Sequence, residues 1–210
     1  MTTSPPLRFP LFSSRVSRLA APLLWAAAFA ALLASCSTLP ENISPERGDV
    51  TIMGSETVPL DRFLQVAETR NPDLGQSRWT EVWTAYRDAC DSEGVRQSVA
   101  LSQMILETNA MKFGGTVRAY QNNFAGLGVT GGGVVGLSFP NIETGALAHV
   151  QHLKAYGSTD SASRPLVDPR FRYVKRGSAA TLRGLTHKWA ADPRYGEKLI
   201  TLREQLLGIN

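Results

Sequence analysis

The segment "MILETNAMKFGG" (residues 104–115) decides how this chain is read. It closes a longer run, "VRQSVALSQMILE" (95–107), in which Val95, Val99, Ser102 and Leu106 form one row and Leu101 and Ile105 another. Few charges interrupt that pattern, so it predicts a central helix buried on most sides. Glu107 is the lone carboxylate at its end. A carboxylate there costs free energy when ionised and desolvated, which pushes its pKa upward. That is the state a general acid needs near neutral pH. A structural glutamate that caps a neighbouring turn, or pairs with Arg87 or Arg96, fits the same spacing. The residues alone leave both readings open.

Working outward, "LDRFLQVAETR" (60–70) and "RWTEVWTAYRDACDSEG" (78–94) carry helical periodicity upstream. Asn71-Pro72 ends the first of these and Gly94 closes the second. Downstream, "IETGALAHVQHLKAYG" (142–157) turns Ala146, Val150 and Leu153 inward, and "GEKLITLREQLL" (196–207) supplies a last helix. Between 108 and 140 the helical signal is lost. Six glycines occupy the eleven positions 126–136, with β-branched and aromatic residues around them. That composition predicts a small, glycine-rich β-hairpin lobe. The expected fold class is therefore mainly α, a helical core with one β insertion.

The first 18 residues contain Arg8, Arg15 and Arg18 and no acid, and they lead into the apolar "LAAPLLWAAAFAALL" (19–33). This run is shorter than the roughly 20 residues a membrane span needs, and it fits the core of a signal peptide. It ends in Leu-Ala-Ser-Cys, which resembles the lipobox of bacterial lipoproteins and implies cleavage before Cys36 and lipidation of that thiol. The expected organisation is a signal over 1–35, a flexible tether over 36–59 and a folded domain over 60–210. Ser37 follows Cys36, so no Asp argues for inner-membrane retention, and the expected location is the cell envelope, facing the periplasm from the outer membrane where two membranes exist. Removing 1–35 takes three arginines and no acid, so the net charge falls from +4 to +1. Basicity then gives no argument for nucleic acid. With Cys36 lipidated, Cys90 is the remaining thiol, which excludes a disulfide framework and a cysteine-based metal cluster.

Several motifs carry little. Gly126-Leu-Gly128-Val-Thr-Gly131 matches a dinucleotide-binding pattern literally, but polar "YQNN" precedes it where a hydrophobic strand is required. A loop whose backbone at Gly126 approaches a ligand closely is the better reading. His149 and His152 share a helix face, yet His187 is the one other histidine, so ordinary hydrogen bonds are expected of them rather than a metal. Cys90 sits on an apolar helix face and reads as core. No cofactor is implied, and a monomer is expected.

Five blocks then occur in order: "EGVRQSVALSQMILETNAMKFGG", "QNNFAGLG", "GLSFPNIETGALAHVQHLKAYG", "VDPRFRYVKRG" and "WAADPRYGEKL". Together they resemble the bacterial N-acetylglucosaminidase domain of glycoside hydrolase family seventy-three, in the lysozyme superfamily, over roughly residues 80 to 207. The resemblance implies an α+β lysozyme-like domain whose groove takes the glycan strand of peptidoglycan and cuts after N-acetylglucosamine. It implies Glu107 as catalytic acid, Asn123 and Phe124 as groove lining, Asp192 and Tyr195 near the catalytic centre, and Trp189 as an aromatic contact. Sugar rings present apolar C–H faces to aromatic planes and hydroxyls to amides, so the set is chemically coherent. One departure stands out: the family commonly has Gly and then an aromatic after Glu-Thr, where this chain has Asn109 and Ala110. Ala110 is expected to remove a stacking platform.

Glycoside hydrolysis usually employs two carboxyl groups, about 5–5.5 Å apart in retaining enzymes and about 6.5–9.5 Å in inverting ones. The hairpin region contains no acid, which leaves Glu143 and Asp192 as candidates for the second. The expectation is hydrolysis assisted by the substrate's own acetamido group, with Tyr195 and Asp192 orienting it. A catalytically weak glycan-binding lipoprotein and a lytic transglycosylase are the alternatives.

Overall fold

A computed structural model describes residues 47–209. The expected signal peptide and Cys36 lie outside the described residues. Five helices carry the architecture: α1 (Leu60–Arg70), α2 (Gln76–Glu93), α3 (Gln97–Glu107), α4 (Ile142–Gly157) and α5 (Tyr195–Leu207). Short 3-10 turns at Pro72–Leu74, Ala119–Gln121, Phe171–Tyr173 and Arg183–Leu185 punctuate the connections. The helices fall where the apolar periodicity predicts them.

Helix α3 is the centre. From Gln97 to Ile105 every residue is buried, with α5 and α2 packed against it and α4 beside α2. A helix buried all round must pair its polar side chains internally, and α3 does. Gln97 accepts from the Val58 N–H (2.9 Å) and donates to the Trp83 carbonyl (3.1 Å). Ser102 donates to the Val99 carbonyl at 2.8 Å. Ser98 donates to Glu56, and the fully buried Arg203 of α5 grips the same carboxylate at 2.7 Å.

Glycine is required where α4 docks. A Cβ at Gly145 would lie 1.9 Å from the Asn122 carbonyl oxygen, so only a bare Cα admits this contact. Glu93, at the end of α2, is buried against the same helix. It accepts from Lys154 Nζ (3.0 Å), Gln151 Nε2 (3.1 Å) and the Ser163 and Arg164 N–H groups (2.7 and 3.1 Å). Burial pushes its carboxyl pKa up, but the four donors outweigh that and hold it below the ordinary value.

Two expectations are corrected. The 108–141 segment forms no hairpin: among the described residues, β pairing is confined to isolated bridges at Thr51–Thr181, Met53–Val95 and Thr186–Ala190. Left-handed backbone at Gly126, Gly128 and Gly131 to Gly133 prevents a ladder. Two backbone bonds cross the loop, from the Leu137 N–H to the Leu127 carbonyl and from the Phe139 N–H to the Gln121 carbonyl, each at 2.8 Å, and side-chain amides add to them. Asn123 donates to the Leu127 and Leu137 carbonyls and accepts from the Leu127 N–H, each at 2.9 Å, and Gln121 donates to the Gly136 carbonyl at 2.9 Å.

The second correction concerns the tether. Val50, Ile52 and Val58 are core residues. Ile52 N–H donates to the Ala180 carbonyl (2.8 Å), Arg96 N–H to the Ile52 carbonyl (3.0 Å), and Leu182 N–H to the Val50 carbonyl (3.2 Å). Residues 50–58 are thus an arm of the folded domain. A chain beginning at Leu60 is predicted to lose on the order of 5 kcal/mol relative to one beginning at Arg47, from three buried aliphatic side chains at about 1.5–3 kcal/mol each. Urea unfolding midpoints of the two chains test this, and equal midpoints would contradict it.

Candidate active site

Glu107 is the last residue of α3, and the chain reverses immediately after it. Asn109, Ala110, Met111 and Phe113 all take left-handed backbone (φ 50°, 53°, 61° and 57°). Each non-glycine residue so placed costs about 1–2 kcal/mol. The turn persists because its groups are held. Thr108 Oγ1 donates to the Met104 carbonyl (2.7 Å) and accepts from the Met111 N–H (2.8 Å), while Ala110 N–H and Phe113 N–H reach the Ile105 and Thr108 carbonyls at 2.8 Å. This abrupt stop leaves Glu107 at the wall of a cleft of about 320 Å³, lined also by Phe113, Val117, Ala125, Gly126 and Trp189.

As a residue Glu107 is open to the cleft, but protein atoms crowd its carboxyl group. This desolvation raises its pKa above the ordinary value, against the opposing pull of hydrogen bonds from Tyr195 and Trp189. Arg87 and Arg96, the structural partners the spacing allowed, engage Asp88 and Glu56 instead. Tyr195 opens α5. Its neighbour Gly196 permits that placement, since a Cβ there would lie 2.6 Å from Arg183 Cα.

Behind Glu107 runs a buried chain of hydrogen bonds that the sequence did not reveal. Tyr195 Oη donates to Glu107 Oε1. Gln103 Nε2 donates to Tyr195 Oη at 2.7 Å, His149 Nε2 meets Gln103 Oε1 at 2.8 Å, and Tyr86 Oη meets His149 Nδ1 at 2.7 Å. The directions follow by elimination. With the phenol proton on Glu107, the phenol oxygen accepts from the amide N–H. The amide oxygen then accepts from His149 Nε2–H, so Nδ1 accepts from Tyr86. Every proton points toward the carboxylate. Burial holds His149 neutral by lowering its pKa to about 3, consistent with a fixed tautomer. Tyr195 thus occupies Oε1, and Trp189 is the second donor to the carboxyl group.

The other expected site residues divide between the cleft and other places. Gly126 and Trp189 line the cleft with Glu107. Asn123 and Phe124 are each 1% exposed: the amide of Asn123 is spent on the loop, and Phe124 packs near Tyr86 with ring centroids 6.1 Å apart. Neither side chain lines the Glu107 cleft. Asp192 is not brought to Glu107. It is bonded to Lys198, which lowers its pKa, and to the Arg194 N–H (2.9 Å) at the entry to α5. Glu143 lines a different hollow with Leu60, Thr80 and Asp88. Ala110 is also corrected. It is buried, its carbonyl accepts from Asn71 Nδ2 at 2.9 Å, and it borders a separate hollow beside Arg70 and Leu202. His152, the other helix-face imidazole, bonds Asp168 at 2.7 Å.

Fold and site together define a class: a helical domain that presents one desolvated carboxyl at the wall of an aromatic-edged cleft. A family model described as mannosyl-glycoprotein endo-beta-N-acetylglucosaminidase matches residues 83–207, and the chain belongs to this glucosaminidase family. It is similar to a Borreliella burgdorferi protein described as uncharacterized, with 46% identity over 151 residues, 72% of this chain and 74% of that protein. No solved structure matches. The family match starts within α2, so the arm and α1 are packed onto it from outside the matched region.

Because Tyr195 lowers the Glu107 pKa through its hydrogen bond, Tyr195→Phe is predicted to raise it further. His149→Phe, which frees Gln103 to rotate, should shift it in the same direction by less. Carboxyl carbon NMR titration of Glu107 reads both shifts; a downward shift in Tyr195→Phe would contradict the assigned bond direction.

Proposed function

We propose that the domain hydrolyses the glycan strand of peptidoglycan at the β-1,4 bond following N-acetylglucosamine, with Glu107 as general acid. The observation that carries this reading is the pairing of a raised pKa with hydrogen bonds from Tyr195 and Trp189 that fix the carboxyl group at the cleft wall. Glu107 holds a proton to higher pH than an ordinary carboxyl group, and Tyr195 fixes the orientation of the group that carries it. A proton held there is placed for a leaving glycosidic oxygen.

Among the residues lining the Glu107 cleft and the cavity adjoining it, Glu107 is the one acid. This favours participation by the substrate. The 2-acetamido carbonyl oxygen attacks C1 as the C1–O bond breaks, and Glu107 gives its proton to the departing oxygen. An oxazolinium ion results. Water then adds at C1, the acetamido oxygen leaves with its electron pair, and ionised Glu107 takes the water's proton. Two displacements at C1 retain the β configuration. Tyr195 holds Glu107 throughout.

Glu107→Gln keeps the shape and an acceptor for Tyr195 while removing the acid. It is predicted to lower release of reducing ends from purified peptidoglycan at least about a hundredfold, a protonating group being worth about 10²–10⁴. Wild-type digestion by that variant would refute the assignment, and an α product anomer would refute substrate assistance. A single acid in the cleft also fits an intramolecular lytic reaction, which leaves an anhydromuramyl end. Mass spectrometry of the products distinguishes the two chemistries.

The reading extends to location. A lipid on Cys36 would hold the enzyme beside its insoluble substrate. Incorporation of labelled fatty acid, lost in Cys36→Ser, is the expected result; equal labelling of both chains would exclude the anchor.

A further inference from the structure

Beside the Glu107 cleft lies a second cavity of about 260 Å³. The two share Ala125, Gly126, Val129 and Trp189, so the indole forms a wall of both. On the far side, Tyr156 and His152 complete an aromatic surface, with ring centroids 5.6 and 5.2 Å from that of Trp189. This surface is held rigid. His152 Nδ1 is bonded to the buried Asp168 at 2.7 Å, and Tyr156 Oη donates to the Lys188 carbonyl at 3.1 Å. The rings meet at interplanar angles of 48°, 74° and 81°, so they present edges as well as faces, and the cavity wall they help build is mostly polar, which suits a sugar's hydroxyl groups.

The opposite rim carries charge. Arg170 and Tyr173 line the cavity. The guanidinium carbons of Arg170 and Arg172 lie 4.7 and 4.9 Å from the centroid of the Tyr173 ring, and Arg172 Nη2 donates to the Tyr173 hydroxyl at 2.9 Å. Tyr173 is 61% exposed. Two like charges on one ring repel, and neither guanidinium forms an ion pair with a carboxylate among the described residues. The nearby Asp168 is committed to His152 and to the Arg170 N–H (2.8 Å). A sugar-sized cavity with a fixed aromatic wall and two uncompensated guanidinium groups suits a sugar that carries an anion.

We propose that this cavity binds a muramyl residue and that Arg170, supported by Arg172, reads a carboxylate on its lactyl arm. The assignment rests on the reading given above for the Glu107 cleft. In a strand that alternates N-acetylglucosamine with N-acetylmuramic acid, both neighbours of the N-acetylglucosamine held at that cleft are muramyl residues. The neighbouring cavity therefore meets the lactyl ether whichever way the strand runs. That ether ends in its own carboxylate when the peptide has been removed, or in a stem peptide that bears further carboxylates. A chitin oligomer offers no anion at this position.

The test measures binding in a Glu107→Gln background, so that it does not require turnover. Soluble glycan strands stripped of peptide, strands with peptide intact, and chitohexaose are titrated calorimetrically, with and without Arg170→Ala. The expected result is that Arg170→Ala weakens muramyl strands at least about tenfold more than chitohexaose, the scale of one charge-assisted hydrogen bond, and that this difference shrinks with added salt. A deficit on stripped strands assigns the lactyl carboxylate; a deficit confined to peptide-bearing strands assigns a stem carboxylate. Equal losses on all three ligands, no loss on muramyl strands, or no binding of muramyl strands to the parent variant would overturn the proposal. Failure of wild-type hydrolysis with a selective Arg170 effect would refute the catalytic reading and keep this one.

Discussion

A carboxyl group holds its proton more tightly than in water when protein replaces the water around it, and the site depends on that constraint. Glu107 meets it by ending a helix with no solvent-facing side over most of its length. Burial alone would leave the group free to rotate. Tyr195 fixes one oxygen, and Gln103, His149 and Tyr86 fix Tyr195 in turn. The chain draws on α5, α3, α4 and α2, so the placement of the acid is shared among four helices rather than held by one neighbour. Chains of aligned hydrogen bonds polarise one another in a low-dielectric interior.

This arrangement has an energetic sign. The folded protein holds the Glu107 proton more tightly than an unfolded chain does, so its contribution to stability falls as pH rises through the raised pKa and stays unfavourable above it. Glu93 has the opposite sign. Its lowered pKa stabilises the fold above the ordinary carboxyl range, and that stabilisation is lost on acidification. One glutamate is anchored by four donors where α2 meets α4. The other is left short of donors where the cleft needs a proton.

The helices were legible because each has a long apolar period and a clear stop; Gly94, for one, takes the left-handed conformation that closes α2. Glu107 was legible as an unexplained charge. The 126–136 stretch was not, because β-branched residues among glycines score as hairpin while the backbone angles those glycines adopt forbid a ladder. Asn123 was misleading for a related reason. An amide suits a sugar hydroxyl and a loop carbonyl equally, and here the loop takes it. The arm at 50–58 was hidden because its period of two is interrupted: Val50, Ile52 and Val58 enter the core, but Gly54 and Glu56 stand where further apolar residues would have shown the alternation. Gln103, His149 and Tyr86 lie far apart in sequence, and no local signal links them.

Ala110 leads to a different kind of conclusion. Where the family pattern has an aromatic residue, this chain has a methyl group, with a hollow of about 240 Å³ alongside it between Arg70, Ile105 and Leu202. The hollow does not share residues with the Glu107 cleft, and it lies open against the most strained turn of the fold. Because the turn after Glu107 is held by its own hydrogen bonds, the hollow leaves space beside Ala110 that a larger side chain could fill without displacing them.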